Sequence, residues 1–210
     1  MQNYSLSRYL LCRPLGGLND TLTQISRCLK YAREHGRQLI VDTASNPKIG
    51  ADLSRYFDSS DLIRFESGLA LEFLNSVTCF PGSLQGNING YICTSLDSSP
   101  VREAASHQAI TFDFLSEYSE TLLVHQQFGG GLNSIDLCGE LEMRQDIWLE
   151  VLRRKSSLRP DYSAVHVRQS DYETNWMPQL ESLKNSLSKS TVLIASDNPG
   201  LVDQARVEFG

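Results

Sequence analysis

The chain has 210 residues, 40% hydrophobic and 21% charged, a balance typical of a soluble globular protein and not of a disordered or fibrous one. A net charge of −6 and a pI near 5.2 argue against a nucleic-acid or anionic-membrane surface, because both need excess Lys and Arg. No apolar stretch reaches the roughly 18 residues of a membrane span, and the N-terminus lacks a signal-peptide pattern. We therefore expect an unanchored cytoplasmic protein whose five cysteines are reduced and mostly buried.

The first 42 residues predict a βαβ unit. Arg8 to Arg13 is a short apolar run that stops at a Pro-Leu-Gly-Gly turn. From Asn19 onward, apolar residues recur every three or four positions, which predicts an amphipathic helix that ends near Gly36. Gln38 to Asp42 then reads as a strand that is covered on both faces.

The remainder of the chain predicts a second, smaller βαβ unit. Residues 45 to about 100 are loop-rich, with short apolar pieces between Gly, Asn, Ser and Pro residues. A domain boundary is expected at 157/158, which gives domains 1–157 and 158–210. The predicted elements after residue 100 are a strand at Thr121–His125, a helix at Ser134–Arg154 with Leu137, Leu141, Trp148 and Leu152 on its buried side, a strand at Tyr162–Arg168, a helix at Gln179–Lys189, a strand at Thr191–Ala195 and a helix at Pro199–Phe209.

The first candidate ligand site is the turn between the first strand and the first helix. Gly16 and Gly17 allow the backbone to approach a ligand closely, and a helix N-terminus favours a phosphate or carboxylate. The turn does not match G-x-G-x-x-G or a P-loop, so neither a dinucleotide nor ATP is indicated. The alternative is a tight turn in which Asn19 or Asp20 caps the helix.

The second and third candidates follow strands of the second unit. His166 and Arg168 lie two residues apart at a strand end, where α/β folds bind ligands, and Asp171 could orient the arginine. Arginine offers a fixed fork of donors suited to phosphate oxygens. The alternative is a strand-end salt bridge beside a core histidine.

A Ser-Asp-Asn-Pro segment follows the next strand. Ser196 and Asp197 could contact a nucleoside, or this segment could simply cap the following helix. His125, which ends another strand, is interpreted as a core or rim residue. No Asp-x-Asp pair and no zinc-ligand spacing occurs in the sequence, so neither a metal nor another cofactor is expected.

Three blocks in this order resemble the fucosyltransferase superfamily, which includes bacterial α-1,2-fucosyltransferases, α-1,6-fucosyltransferases with the nodulation enzymes, and protein O-fucosyltransferases. The blocks are YLLCRPLGGLNDTLTQISRCLKYAREHGRQLIVDT with its Gly-Gly-Leu-Asn turn, HVRQSDY in place of H-x-R-x-x-D, and VLIASDNP. The resemblance implies an α/β, GT-B-like fold with two Rossmann-like parallel-sheet domains, the second incomplete.

The resemblance also implies a metal-independent, inverting transfer of fucose from GDP-β-L-fucose to a glycan or protein hydroxyl. By this resemblance Arg168 neutralises the β-phosphate and His166 lines the donor pocket. Asn19 reaches the diphosphate or fucose, and Asp197 contacts the nucleoside. The catalytic base stays open among Asp20, Asp171 and Glu173.

Two departures from the family pattern qualify this prediction. Gln169 stands where many relatives carry a second motif arginine, and relatives continue well past the position of Gly210 with a further motif that encloses the donor. A non-catalytic nucleotide-sugar or glycan-binding module, a fragment of the enzyme, and an α/β interaction domain therefore remain as alternatives. The oligomeric state is not predicted.

Overall fold

The computed structural model describes residues 8–44, 46–89, 100–132, 134–158, 160–168, 175–187 and 191–209, with side chains except at 183–187 and 208–209. Residue contacts divide the chain into two compact units, Met1–Gln145 and Asp146–Gly210. The predicted boundary at 157/158 lies at the other end of a helix, α3 (Gln145–Ser156), from this division. The structure confirms the predicted α/β class, with parallel strands in both units.

The first unit is built on a five-stranded parallel sheet with the order β3-β2-β1-β5-β4. Its strands are β1 (Arg8–Cys12), β2 (Arg37–Val41), β3 (Ile63–Phe65), β4 (Cys79–Phe80) and β5 (Leu122–His125). The strand order reverses between β1 and β5, so the loops that follow these two strands are neighbours although they are distant in sequence. In open parallel sheets such a reversal, at the carboxyl ends of the strands, is the usual ligand crevice.

Helix α1 (Leu18–Glu34) follows β1 and packs on the sheet. The apolar positions of the helical pattern are all buried, as predicted: Leu22, Ile25, Cys28, Leu29 and Ala32. The helix ends two residues before Gly36, whose φ of +58° favours glycine.

The strands of the first sheet place alternate side chains in two separate hydrophobic layers. Leu10 and Leu39 pack with α1 on one face, whereas Leu11 and Ile40 pack against the irregular stretch on the other. All four are fully buried. The prediction that β2 is covered on both faces is therefore confirmed.

The stretch between β2 and residue 89 is irregular, as predicted, but it also completes the sheet. It contributes the short strands β3 and β4 at the two edges. Three 3₁₀ helices, Leu53–Arg55, Gly68–Ser76 and Gly82–Leu84, supply buried leucines to the two cores.

The prediction of one helix over Ser134–Arg154 is wrong. The structure has a short helix α2 (Ser134–Cys138) and then α3, because the intervening residues pair with another segment. Met143 forms an antiparallel bridge with Phe57, and the Arg144 N–H donates to the Tyr56 carbonyl at 2.9 Å. Consequently Leu137 is buried and Leu141 partly buried, as predicted, whereas Trp148 and Leu152 are 49% and 41% exposed.

The second unit contains a two-stranded parallel sheet, β6 (Ser163–Val167) and β7 (Val192–Ser196). Helices α4 (Trp176–Leu187) and α5 (Pro199–Phe209) pack with this sheet in a small core. That core consists of Val167, Trp176, Leu180, Leu201 and Ala205. These elements match the predicted pattern to within about three residues at each end.

Candidate functional site

The turn after β1 requires glycine at position 16 and is closed by the backbone of Gly17. Gly16 has a φ of +92°, and a Cβ atom there would lie 2.5 Å from Asp20 Oδ2. The Gly17 N–H donates to that same carboxylate oxygen at 3.0 Å. Gly17, and neither Asn19 nor Asp20, is the N-cap, because the helix begins at Leu18 and Asp20 reaches back from its first turn. Asp20 is therefore a helix-capping residue.

A buried asparagine that the sequence reading missed holds this turn in place. Asn46 Nδ2 lies 3.1 Å from the carbonyl oxygens of Pro14 and Gly16 and 3.2 Å from Thr21 Oγ1. Asn46 belongs to the irregular stretch, whose sequence carries no pattern that would predict a contact with a distant turn. The buried Asn46 side chain therefore holds the backbone of the turn on its core side, while Gly17 on the other side is exposed.

A buried ion pair lies beside the turn, at the carboxyl ends of β1 and β2. Arg13 Nε is 2.8 Å from Asp42 Oδ2, and both side chains are less than a tenth exposed. The same guanidinium donates to the Ile88 carbonyl at 2.5 Å and to Asn89 Oδ1 at 2.9 Å. These bonds tie the irregular stretch to the sheet edge and satisfy the buried charge.

The loop after β5 runs beside the first turn of α1. We call residues 129–132 the glycine loop. Ser134, the first residue of α2, donates a hydrogen bond from Oγ to Asn19 Oδ1 at 2.6 Å. Both Asn19 and the glycine loop are exposed. The glycines of this loop follow a strand just as Gly16 and Gly17 do.

His125, the last residue of β5, is a core residue, as predicted, with 1% exposure. Its Nε2 lies 2.8 Å from Gln24 Oε1 and its Nδ1 lies 2.7 Å from Thr111 Oγ1. Burial, and secondarily the positive charge of Arg27, lowers the pKa of His125 to about 3. The imidazole is consequently neutral at physiological pH.

The second unit places its predicted residues at one sheet edge. In the parallel register, His166 pairs with Ala195 and Val167 with Ser196. Arg168 and Asp197 therefore follow immediately at the carboxyl ends of β6 and β7. The expectation that these two segments share a sheet edge is confirmed.

His166 is exposed, which excludes the alternative of a core histidine. Successive strand residues point to opposite faces, and Val165 and Val167 occupy the face that packs on the core. His166 is thus on the open face of the sheet, and Arg168 beyond it is exposed as well.

The segment after β7 also has a structural role. Asn198 Oδ1 accepts from the Gly200 N–H at 3.0 Å and so caps α5, and the Asn198 N–H donates to Ser196 Oγ at 3.1 Å. The helix-capping alternative therefore applies to Asn198. Asp171, Gln169 and Glu173 lie outside the described residues.

No group of three or more His, Cys, Asp or Glu side chains in the described part of the chain could hold a metal ion. Within the same residues, no helix is long and apolar enough to cross a membrane.

No protein-family model matches the sequence, and no curated protein matches it significantly. Solved structures do match. NodZ α-1,6-fucosyltransferase co-crystallised with GDP aligns with a TM-score of 0.61 at 13% identity, over 97% of this chain and 76% of that one.

Two further structures of the same enzyme agree. NodZ soaked with GDP-fucose aligns with a TM-score of 0.59 at 13% identity, over 97% and 75% of the two chains. Fucosyltransferase NodZ from Bradyrhizobium gives 0.61 at 14%, over 97% and 77%. At this identity the likeness establishes the fold alone. The chain has a fucosyltransferase-like fold, and the predicted resemblance is confirmed at that level.

Proposed function

We propose that this protein is a glycosyltransferase that transfers L-fucose from GDP-β-L-fucose to a hydroxyl group of a glycan or protein. In this proposal it has a GT-B architecture and acts by inverting displacement without a metal ion. One observation carries the proposal: nearly the whole chain aligns with an enzyme whose structures were obtained with GDP and with GDP-fucose.

The donor chemistry is assigned to the edge formed by β6 and β7. The acceptor oxygen forms a bond to the anomeric carbon while the bond from that carbon to the β-phosphate oxygen breaks, and the electron pair leaves with GDP. Arg168, exposed at the end of β6, meets the developing phosphate charge with its fork of donors. His166 lines the same edge, and Ser196 and Asp197 at the end of β7 contact the nucleoside.

In the first unit, the turn after β1 contributes Gly16, Gly17 and Asn19 to substrate binding. The acceptor's proton passes to a carboxylate, with Asp20 and Asp171 as the candidate bases. Because the Asp20 carboxylate also accepts the Gly17 N–H, its replacement would disturb the turn along with any chemistry. Asp171→Asn is therefore the cleaner test of a catalytic base.

A second candidate function is a non-catalytic module that binds a nucleotide sugar. It is favoured by Gln169, which replaces a second positive charge that many relatives carry at this position. Such a module would bind GDP but leave GDP-fucose intact with every acceptor.

The first experiment measures the thermal midpoint of the protein with and without GDP, with UDP as the control nucleotide. A ligand that binds only the folded state at about 100 times its Kd adds about 2.7 kcal/mol of stability. We expect a rise with GDP alone. Arg168→Ala should weaken GDP binding about tenfold or more, because the proposed hydrogen-bonded pair between the Arg168 guanidinium and the β-phosphate is lost.

Arg206→Ala is the matched control, because Arg206 is an exposed arginine of the same unit that pairs only loosely with Asp203, at 3.3 Å. Its GDP affinity should equal that of the unaltered protein. Absence of any GDP effect would refute the donor site, whereas GDP binding without fucose transfer across an acceptor panel would favour the non-catalytic module.

A further inference from the structure

The strand-order reversal between β1 and β5 brings together the Gly-Gly turn and the glycine loop, and Asn19 lies at their contact. We infer that Gly130 and Ser134 are positioning residues that orient the Asn19 side-chain amide toward an oxygen of the bound substrate. This inference rests on the proposed function, which assigns Asn19 to substrate binding.

Asn19 is held from two sides. Its Oδ1 accepts the Ser134 hydroxyl at 2.6 Å. A Cβ atom on Gly130 would lie 2.5 Å from Asn19 Nδ2 and 2.9 Å from Asp20 Oδ1, so only glycine allows this approach. Asn19 is thus an exposed side chain whose amide has one hydrogen bond to Ser134 and lies close to Gly130.

The way Asn19 is held determines which of its atoms face a ligand. Because Oδ1 accepts the Ser134 hydroxyl, the amide is turned so that its nitrogen carries the unused donors. Among the residues that the structure describes, Asn19 Nδ2 has no hydrogen-bond acceptor. Two N–H donors are therefore available beside the N-terminus of α1, where the helix dipole favours an anionic oxygen.

A chain of hydrogen bonds from the core fixes the start of the glycine loop. The Gly129 carbonyl can only accept, and it takes a hydrogen bond from Gln24 Nε2 at 2.5 Å. Gln24 Oε1 therefore faces His125 and accepts from its Nε2–H. The remaining ring nitrogen, Nδ1, accepts from the Thr111 hydroxyl.

This chain gives the glycine loop a rigid base. Gln24 and His125 are both at least 95% buried, so the loop's first carbonyl accepts a hydrogen bond from a side chain that is anchored in the core. An exposed asparagine gains little stability from being ordered, but an ordered amide loses less entropy when a ligand binds.

The test compares variants by steady-state kinetics with GDP-fucose. Gly130→Ala forces the Asn19 amide to move, and we expect kcat/KM to fall about tenfold. Ser134→Ala removes one hydrogen bond and should lower kcat/KM about three- to tenfold. Gly82→Ala and Ser83→Ala are matched controls at the two exposed positions that begin a 3₁₀ helix, where a Cβ on Gly82 would meet nothing within 4 Å.

A double-mutant cycle separates positioning from simple structural support. If Ser134 acts through Asn19, then Asn19→Ala combined with Ser134→Ala should be no slower than Asn19→Ala alone. Fully additive losses in the double variant would overturn the inference.

A ligand-independent measurement keeps the inference testable if no turnover is found, an outcome that counts against the proposed function instead. The side-chain amide protons of Asn19, identified by their loss in Asn19→Ala, should give well-separated NMR signals. In Ser134→Ala these signals should move toward those of a freely rotating side chain, and in Ser83→Ala they should not. Unchanged Asn19 signals in Ser134→Ala would overturn the positioning role.

Discussion

The two sheets of this protein differ in how the loops that carry their candidate residues are anchored. In the first unit, five strands are packed on both faces, and the loops at their carboxyl ends are tied down by Asn46, the Arg13–Asp42 pair and the His125 chain. In the second unit, two strands are packed on one face, and Arg168 follows an open edge. Buried side chains therefore anchor the described loops of the first unit, whereas the described sheet of the second unit has one packed face.

The largest expected difference between the units concerns leucines on their strands. Leu39→Ala in β2 empties a fully buried site and should lower the free energy of unfolding by about 3 kcal/mol. Leu193→Ala in β7 removes a side chain that is 42% exposed, and the expected loss is below about 0.5 kcal/mol. Urea denaturation followed by far-ultraviolet circular dichroism measures both, and equal losses would show that the open face of the second sheet is covered in solution.

The pH dependence of stability should also distinguish the units. Below about pH 6.5 the unfolded chain binds a proton at His125, whereas the folded protein binds it only near pH 3. The contribution of neutral His125 to the free energy of unfolding is therefore fully present above about pH 6.5. It decreases as the pH is lowered from about 6.5 to about 3, by at most about 1.4 kcal/mol per pH unit.

Urea titrations at pH 5 and pH 7 give the dependence of the free energy of unfolding on pH. We expect His125→Gln to remove the part of this pH dependence that comes from His125. His166→Gln, an exposed histidine of the second unit, should retain it. If both variants kept the slope of the unaltered protein, His125 would not be the neutral buried group described above.

The smallest expected effect concerns the cap of α5. Asn198→Ala removes the side-chain bond to the Gly200 N–H and should destabilise the second unit by about 1 kcal/mol. Both tryptophans of the chain, Trp148 and Trp176, belong to that unit, so tryptophan fluorescence follows its unfolding directly. Asn87→Ala, on an exposed turn of the first unit, is the control and should leave the fluorescence midpoint unchanged.

Local patterns in the sequence predicted those elements whose cause is local. The helix α1 is predicted because its apolar residues repeat with the helical period, and α5 because Asn198 and Pro199 are typical of a helix start. The long helix over Ser134–Arg154 was predicted wrongly for the same reason. Its apolar spacing continues across residues 139–144, but bonds to Tyr56 and Phe57, far away in sequence, pull this segment out of the helix.

The candidate site shows the same difference between features with a local cause and features that depend on distant residues. Gly16, Gly17 and the residues at the ends of β6 and β7 could be selected from the sequence, because each follows a strand directly. Asn46, Gln24, Ser134 and Gly130 could not be selected. Each contacts a partner that is at least 25 residues away in the sequence, and no local spacing reports such a contact.

By itself, then, the sequence determined the βαβ alternation, the buried face of α1, the glycine turn and the order of the three blocks that resemble fucosyltransferases. These follow from periodicity and from backbone preferences that a few neighbouring residues express. The tertiary structure alone decided the strand order that sets the loop after β5 beside the loop after β1, and hence what holds Asn19. Strand order depends on the packing of whole faces against one another, a property that no short segment of the chain contains.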